Sequence, residues 1–366
     1  MKPNERLLSL DTLRGFDMLF IMGFAGLITA ICALWPNPMT DAIARQMGHV
    51  SWNGLTQHDT IFPLFLFIAG VSFPFSLSKQ RASGISERRI LFKVIRRGMT
   101  LIVLGMIYNG LFRFDFASLR VASVLGRIGL AWMFASLLYM YCKVRTRAVF
   151  AAVVLIGYSL LMYLVVAPDG TDPLSVAGNI AGWVDRQWLP GTFACGSFDP
   201  EGLLSTLPAI VSALFGMFTG EFLLRKRSSL SGEQIALCMA LAAVAITVIG
   251  IIWNCWIPIN KKLWSSSFTC VVTGYSLGLF ALFYYLIDVR GWKRWTFFFR
   301  VIGLNSITIY LAQRIVGFGG IANFFFGGAA SHCPEAIARV ISNAGYVAIC
   351  WLFLYFLYRK STFLKV

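Results

Sequence analysis

Ten apolar segments of about 20 residues run through the sequence, and they restrict its fold more than any other feature does. They occupy residues 16–35, 59–78, 90–111, 121–141, 148–167, 202–224, 235–257, 267–287, 297–316 and 336–358. A helix of about this length crosses the hydrocarbon core of a bilayer. Only 13% of the residues are charged, whereas soluble domains carry about a quarter. We therefore predict an all-α, polytopic membrane helix bundle that forms a single domain over residues 1–366.

The positive charge of the chain follows the predicted spans. The net charge is +16, which can indicate a nucleic-acid partner. When the loops are assigned to alternate sides of the membrane, 23 Lys and Arg residues fall on one side and six on the other. Cytosolic loops carry such an excess, so both termini are predicted to be cytosolic. The charge is thus a topology signal, and we expect the lipid bilayer and no nucleic acid as partner.

The stretch GHVSWNGLTQHDTIFPLFLFIAG, residues 48–70, gathers polar side chains in front of a membrane span on the predicted outer side. It holds His49, Asn53, His58 and Asp59, and with them two of the three histidines of the chain. An imidazole accepts a proton near neutral pH. An amide such as Asn53 stabilises a developing oxyanion, and a carboxylate such as Asp59 fixes a histidine tautomer. Spacing alone leaves a catalytic His49 and an ordinary loop histidine both open.

Ionisable residues also cluster at the cytosolic end of the first predicted span. Asp11, Arg14 and Asp17 are three positions apart, so they share one helix face and predict a ladder of ion pairs. A buried arginine here also suits an anionic ligand that arrives from the cytosol. The ladder as a structural anchor and Arg14 as a ligand contact both stay open.

A second pair of cations lies in RVASVLGRIGLAW. Arg120 and Arg127 are seven positions apart, two turns along one helix face. Arg127 falls within a span, where an unpaired guanidinium is costly, so we expect it to meet a carboxylate or a phosphate. Asp11, Asp17 and Asp59 are the candidate carboxylates. A structural ion pair and a ligand contact both fit.

The remaining polar groups lie in outer loops and near one late span. The loop over residues 168–200 is rich in Gly, Pro and Asp and predicts a lid or a vestibule. Asp199 and Glu201 precede the sixth span on the outer side, where they favour a helix N-terminus or bind a cationic amine. Ordinary loop and interface roles also explain the turn IPINKKLWSSS, and interhelical hydrogen bonds explain the polar residues of GLNSITIYLAQR. Cys195 and Cys333 both fall in outer loops, but spacing does not establish a disulfide.

Six of these stretches, taken in order, resemble the heparan-α-glucosaminide N-acetyltransferase family. They are LLSLDTLRG, HVSWNGLTQHDTIFPLFLFIAGVS, RVASVLGRIGLAW, GSFDPEGLLSTLPAIVSALFGMFTGEFL, INKKLWSSSFT and GLNSITIYLAQR. The resemblance covers nearly the whole chain, although other membrane acyltransferases share the SLDxxRG element. It implies that cytosolic acetyl-CoA donates an acetyl group to a glucosamine amine on the far side. It also implies that the histidine before SWNGLT, here His49, carries the chemistry as an acetyl carrier or as a general base.

The residues and the resemblance together give the expected site. The catalytic candidates are His49, Asn53 and Asp59. The candidates for acceptor binding are Trp52, Asp199, Glu201, Asn260, Lys261 and Trp264. The candidates for acetyl-CoA binding are Arg14, Arg127, Asn305 and Ser306. We expect no metal.

Two departures from the family pattern bear on the assignment. Relatives often carry a polar residue about eleven positions after the SLDxxRG arginine, where this chain has Ala25. The large lumenal N-terminal region of the animal lysosomal enzyme is absent from this sequence, from which we expect a multi-pass protein of the bacterial inner membrane. An amino-sugar permease is the alternative, although such folds usually show matched halves, which we do not find. Large apolar faces are compatible with a homodimer.

Overall fold

The computed structural model of the protein describes residues 7–364, in which the regular structure is helical. Lys2, Arg6 and Lys365, counted above among the cytosolic charges, lie outside the described residues. The α-helices are α1 (Leu8–Leu19), α2 (Ala25–Cys32), α3 (Pro38–Gln46), α4 (Gln57–Ala82), α5 (Glu87–Tyr108), α6 (Val124–Tyr141), α7 (Val144–Leu164), α8 (Ile180–Trp188), α9 (Thr206–Lys226), α10 (Gly232–Trp253), α11 (Ser266–Phe283), α12 (Thr296–Gly303), α13 (Ser306–Ile315), α14 (Phe318–Ser331) and α15 (Glu335–Arg359). Short π-helical turns, Phe20–Phe24 and Tyr284–Val289, extend α1 and α11.

The polytopic membrane bundle is confirmed, but the number of spans differs from ten. Over residues 7–364, eight helical segments are long and apolar enough to cross a bilayer, or nine if the pair α13 and α14, bent by 77°, forms one span. The expected span 90–111 corresponds to α5, whose first half carries five cations. The expected span 297–316 is interrupted at Leu304 and Asn305, so α12 and α13 are each too short.

Helix α4 lies at the centre of the bundle and packs mainly against α9, with α6, α11 and α1 around it. The close approach of α4 to α9 depends on glycine: a Cβ atom on Gly216 would lie 2.2 Å from the Phe67 carbonyl oxygen. Small residues at such crossings let membrane helices pack backbone to backbone. The 26 residues of α4 reach about 39 Å and carry Asp59 at one end and Arg81 at the other.

The two ends of α4 define two ends of the bundle. We call the end with Asp59 the histidine mouth, because His49 lies beside it. We call the other end, with Lys79 and Arg81, the basic end. The assignment of the basic end to the cytosol stays a prediction from the charge distribution.

A segment between α7 and α9 covers part of the histidine mouth. It contains α8 and is held by short β-bridges, Arg120 to Gly191 and Val166 to Asn179. Arg186 on α8 also donates hydrogen bonds to Asp169 Oδ2 (2.6 Å) and to the Ser197 carbonyl (2.7 Å). The expected lid loop is therefore an ordered cap, which we call the lid (residues 165–205). Cys195 in the lid and Cys333 are both free thiols.

Candidate active site

The loop between α3 and α4 places His49 against the first turn of α4. Thr56 is the N-cap of α4, and Asp59 three residues later accepts hydrogen bonds from the Thr56 backbone N (3.2 Å) and Oγ1 (2.8 Å). This capping box fixes the Asp59 carboxylate at the end of the helix. Gly54 has φ +119°, a left-handed conformation that favours glycine, and its N donates to the Ile259 carbonyl at 2.8 Å. The loop before α4 is thereby tied to the loop between α10 and α11.

His49 and Asp59 form a close pair. His49 Nδ1 lies 2.7 Å from Asp59 Oδ1, and the Asp59 side chain is only 1% exposed whereas that of His49 is 54% exposed. A buried carboxylate on Nδ1 favours the tautomer with its proton there and a free lone pair on Nε2. The open side of the imidazole can therefore accept a proton from a ligand at the histidine mouth.

Lys261 completes this group from the opposite loop. Its Nζ lies 3.1 Å from His49 Nδ1 and 3.2 Å from Asp59 Oδ1. Burial lowers the pKa of the Lys261 ammonium, and the negative charge of Asp59 acts against that shift. The next residue, Lys262, instead donates to the Ser51 carbonyl at 2.6 Å. Lys261 was expected to bind the acceptor; in the structure it contacts the His49–Asp59 pair itself.

Two asparagines connect the same two loops. Asn260 is 1% exposed and donates from Nδ2 to Asn53 Oδ1 at 3.0 Å, while its own Oδ1 accepts from Leu263 N at 2.9 Å. Asn53 is exposed, so its own amide N–H groups are open to a ligand. Trp52 is fixed to the lid, because its Nε1 donates to the Leu174 carbonyl at 2.9 Å.

Arg127 meets none of the carboxylates expected for it. It is 2% exposed, and its Nη2 donates to the Gly202 carbonyl (3.3 Å) and to Ser205 Oγ, both at the histidine mouth. Asp11 contacts Arg14, and Asp59 contacts His49 and Lys261, instead of Arg127. Arg127 Nε and Nη1 have no partner within residues 7–364, so its role as a ligand contact stays a prediction.

Trp264 is enclosed in the core. It is 1% exposed, and the Arg127 guanidinium lies over its ring at 5.1 Å. Its Nε1 donates to Ser212 Oγ at 3.2 Å. Trp264 was expected to contact the acceptor, but its burial means that it supports the site through Arg127.

Arg120 joins the lid to the bundle. It precedes α6, which begins at Val124, so the expected shared helix face with Arg127 does not form. Arg120 Nε and Nη2 each lie 2.7 Å from an Asp199 oxygen, and Nη2 also contacts Glu201 Oε2. Burial opposes the charge of this arginine, yet the two carboxylates raise its pKa. Asp199 and Glu201, expected to bind an amine, are thus engaged by Arg120 in this structure.

The residues expected to hold acetyl-CoA do not form one cluster. Arg14 Nη2 donates to Ser72 Oγ at 3.4 Å, and its Nη1 lies 3.6 Å from Asp11 Oδ1. The ladder is incomplete, because Asp17 Oδ2 has no partner in the described residues. Asn305 and Ser306, both buried, lie at the break between α12 and α13. Arg127 lies at the other end of the bundle.

Sequence reasoning missed two features of the site. The His58 ring packs against that of His49 at 4.7 Å between centroids, although His58 was noted only as a neighbour. Arg97 was counted only as one of the seven cations of residues 79–97, without a role of its own, yet it lies over the Trp132 ring at 4.4 Å. The sequence did offer one signal. Arg97 lies ten residues into α5, deeper along the helix than the cations of its first turn.

The fold and the site define a multi-pass helical membrane protein with a histidine–aspartate–lysine group at one mouth. Comparison with curated proteins finds heparan-alpha-glucosaminide N-acetyltransferase of Mus musculus, 26% identical over 378 residues, which are 87% of this chain and 56% of the mouse protein. The Homo sapiens protein of the same name is 27% identical over 379 residues, 87% of this chain and 55% of the human one. No family model matches.

These two similarities confirm the resemblance that the motifs predict. The chain spans about half the length of the curated relatives it matches. The fold class and the resemblance are therefore findings, whereas activity and substrates are proposals.

Proposed function

We propose that the protein is a transmembrane N-acetyltransferase of the bacterial inner membrane. It takes acetyl-CoA from the cytosolic side and transfers the acetyl group to the amine of a glucosamine-type sugar on the periplasmic side. The curated relatives support the reaction class through their names. The 2.7 Å contact between His49 Nδ1 and the buried Asp59 carboxylate carries the proposal, because it prepares a general base at an open mouth.

The chemistry that this geometry supports is direct transfer. His49 Nε2 takes a proton from the sugar ammonium, and the neutral amine attacks the thioester carbonyl carbon. The C–N bond forms as the C–S bond breaks, and the thiolate leaves with the electron pair of that bond and takes up the second proton that the nitrogen loses as it becomes the amide. One proton is released overall for each acetyl group transferred. His49 passes its proton to solvent at the mouth, where its ring is half exposed.

The neighbouring residues have separable roles in this reaction. Asp59 holds the imidazole tautomer and orientation. Asn53, fixed by the buried Asn260, presents amide N–H groups that stabilise negative charge on the thioester oxygen. Trp52 and the lid enclose the acceptor. Each role predicts a different effect when the residue is substituted.

The test is thiol release by the purified protein in detergent. Acetyl-CoA is supplied with and without glucosamine, and free CoA is followed over time. We expect release that requires both the amine and His49, so His49→Ala should reduce it by about 10²–10⁴-fold. The matched control is His332→Ala, since His332 is exposed and its Nδ1 contacts Gly328 and Ser331 on its own helix. Release without the amine, or equal release by both variants, would contradict the proposal.

An amino-sugar permease is the second candidate, and one observation favours it. Helices α13 and α14 form a pair bent by 77° at a short break, and broken helices are typical of transporter binding sites. The acetyltransferase and the permease can be distinguished by measuring the uptake of labelled glucosamine into proteoliposomes without acetyl-CoA. A permease gives uptake that His49→Ala leaves unchanged.

A further inference from the structure

A second imidazole lies beside the proposed base. His58 is the second residue of α4, and its ring packs against that of His49 with 4.7 Å between the centroids and 58° between the ring planes. Direct transfer with His49 as the base gives His58 no task. A polar ring at this distance from the base nevertheless lies close to any group on which the base acts.

One nitrogen of His58 is buried without a partner. The residue as a whole is half-buried, but its Nδ1 is shielded from solvent and has no hydrogen-bond partner within residues 7–364. A buried polar atom that stays unpaired is costly to the fold. An atom of this kind next to a candidate base therefore indicates a place for a ligand atom or a catalytic role.

Positive charge is already concentrated around His58. The first turn of α4, which holds it, is the positive end of a helix dipole. The Lys261 ammonium is also close enough to oppose a positive charge on the His58 ring. The Asp59 carboxylate favours such a charge, but it is shared between His49 and Lys261. This environment suits an uncharged imidazole, which has one N–H donor and one acceptor nitrogen.

The reaction at His49 needs a donor of this kind. When the amine attacks, the electron pair of the C=O π bond moves onto the thioester oxygen, and it returns as the C–S bond breaks. Preorganised N–H donors stabilise the negative charge that develops on this oxygen. Asn53 is exposed, so water competes for its amide. A donor that water does not reach is more effective, because the local dielectric is lower.

We propose that His58 is a second catalytic residue, which donates a hydrogen bond from Nδ1 to the oxygen of the thioester carbonyl. The assignment rests on the proposed function, since it requires a thioester at the histidine mouth. His49 remains the base, and the Nδ1 proton stays on His58 throughout the reaction. An uncharged imidazole at a helix N-terminus can polarise a carbonyl group in this way.

Two substitutions of His58 separate the hydrogen bond from the packing of the ring. His58→Phe keeps a ring against His49 but has no N–H group, whereas His58→Gln has an N–H donor but no ring. The matched control is His332→Phe, because His332 is exposed and contacts its own helix. CoA release with glucosamine gives kcat, calorimetry gives the Kd of CoA, and thermal unfolding checks that each variant is folded.

An infrared spectrum of the bound donor reports the hydrogen bond itself. Acetyl-CoA labelled with carbon-13 in the acetyl carbonyl is bound without amine, and the spectrum with unlabelled acetyl-CoA is subtracted. A hydrogen bond to the oxygen weakens the C=O bond and lowers its stretching frequency. We expect a lower frequency in the unchanged protein and in His332→Phe than in His58→Phe, with His58→Gln between them. A ring that only packs against His49 would not change this frequency.

We expect His58→Phe to lower kcat by roughly 10²–10³-fold, the loss that follows removal of one oxyanion donor, with the Kd of CoA unchanged. His58→Gln should recover part of kcat. Equal carbonyl frequencies in the unchanged protein and in His58→Phe would overturn the proposal even if kcat falls, because His58 would then act on His49 or on the amine. An unchanged kcat in His58→Phe would overturn it as well.

Failure of the proposed function gives a different result. If the unchanged protein binds no CoA and releases no thiol with glucosamine, the acetyltransferase proposal fails, and the role of His58 fails with it. If the unchanged protein turns over and His58→Phe releases CoA at the same rate, only the role of His58 fails.

Discussion

Asp59 is the residue that connects the fold to the chemistry at the histidine mouth. One of its oxygens caps α4 through Thr56, and the other contacts His49 Nδ1. A rigid helix end therefore holds the imidazole in place. The same carboxylate contacts Lys261, so its negative charge is shared between a histidine and an ammonium group.

The substitution Asp59→Asn tests this role. Asparagine retains the size and the capping oxygen but removes the charge that fixes the histidine tautomer. We expect kcat to fall by about 10²–10⁴-fold with little change in thermal stability. The assay is CoA release with glucosamine, and Asp41→Asn, an exposed acid on α3, is the control. A kcat within the range of that control would show that Asp59 only caps the helix.

Lys261 gives a second prediction at the residue scale. Its Nζ lies 3.2 Å from Asp59 Oδ1 and 3.1 Å from His49 Nδ1, so it helps to hold the carboxylate and the imidazole together. Lys261→Met removes this charge-assisted contact and should place the imidazole less firmly. We expect kcat/KM for CoA release with glucosamine to fall by roughly 10-fold or more. Lys262→Met, which removes only a contact with a backbone carbonyl, should leave kcat/KM in place, and equal losses in both variants would contradict this role.

At the scale of elements, a buried carboxylate holds the lid together. Asp185 on α8 accepts hydrogen bonds from the backbone N of Leu203 (2.9 Å) and Asp199 (3.4 Å), at the far end of the lid, and is 2% exposed. Burial raises the pKa of the Asp185 carboxyl to about 6. The closed lid therefore binds a proton that a lid with this contact opened, with an ordinary carboxyl pKa near 4, has released.

The sign of the pH dependence follows from this difference. The stabilising effect of the bound proton is fully present below about pH 4 and is lost as the pH rises to about 6. We expect the lid to loosen by roughly 2–3 kcal/mol across this interval. Hydrogen exchange of residues 165–205, compared between the unchanged protein and Asp185→Asn at each pH, measures it. The control is Asp172→Asn, an exposed acid of the lid, and the same pH dependence in all three proteins would contradict the assignment.

The elements also show which parts of the site the sequence could predict. His49, Asn53 and Asp59 lie within eleven consecutive residues, so their proximity followed from one helix end. The contacts of Lys261 with His49, and of Arg120 with Asp199, join residues 212 and 79 positions apart. Periodicity contains no information about such pairs. The carboxylates predicted to pair with Arg127 were wrong for the same reason. Hydropathy indicates how deep a residue lies in the membrane, but not which residues it contacts.

At the scale of the whole molecule, hydropathy gave the class of fold but not the number of spans. Length and apolar composition predicted the helical bundle, and the structure confirms it. The break at Asn305 and the bend between α13 and α14 depend on packing against α1 and α15. Gly317, Gly319 and Gly320 mark the bend in the sequence, whereas little in the local composition marks the break at Asn305. The single domain and the cytosolic termini stay predictions.

The two ends of α4 lie about 39 Å apart. The proposed function therefore depends on which side of the membrane each substrate binds. Under the proposed function, the acyl donor enters from the basic end and the acceptor from the histidine mouth, so the two substrates never share one compartment.

The most direct measurement is therefore transfer across a sealed membrane. Proteoliposomes are loaded with glucosamine, freed of external amine, and given acetyl-CoA only outside. The account predicts that N-acetylglucosamine forms inside and CoA is released outside, and that neither occurs with His49→Ala. Product that forms only when acetyl-CoA and glucosamine are on the same side would contradict it.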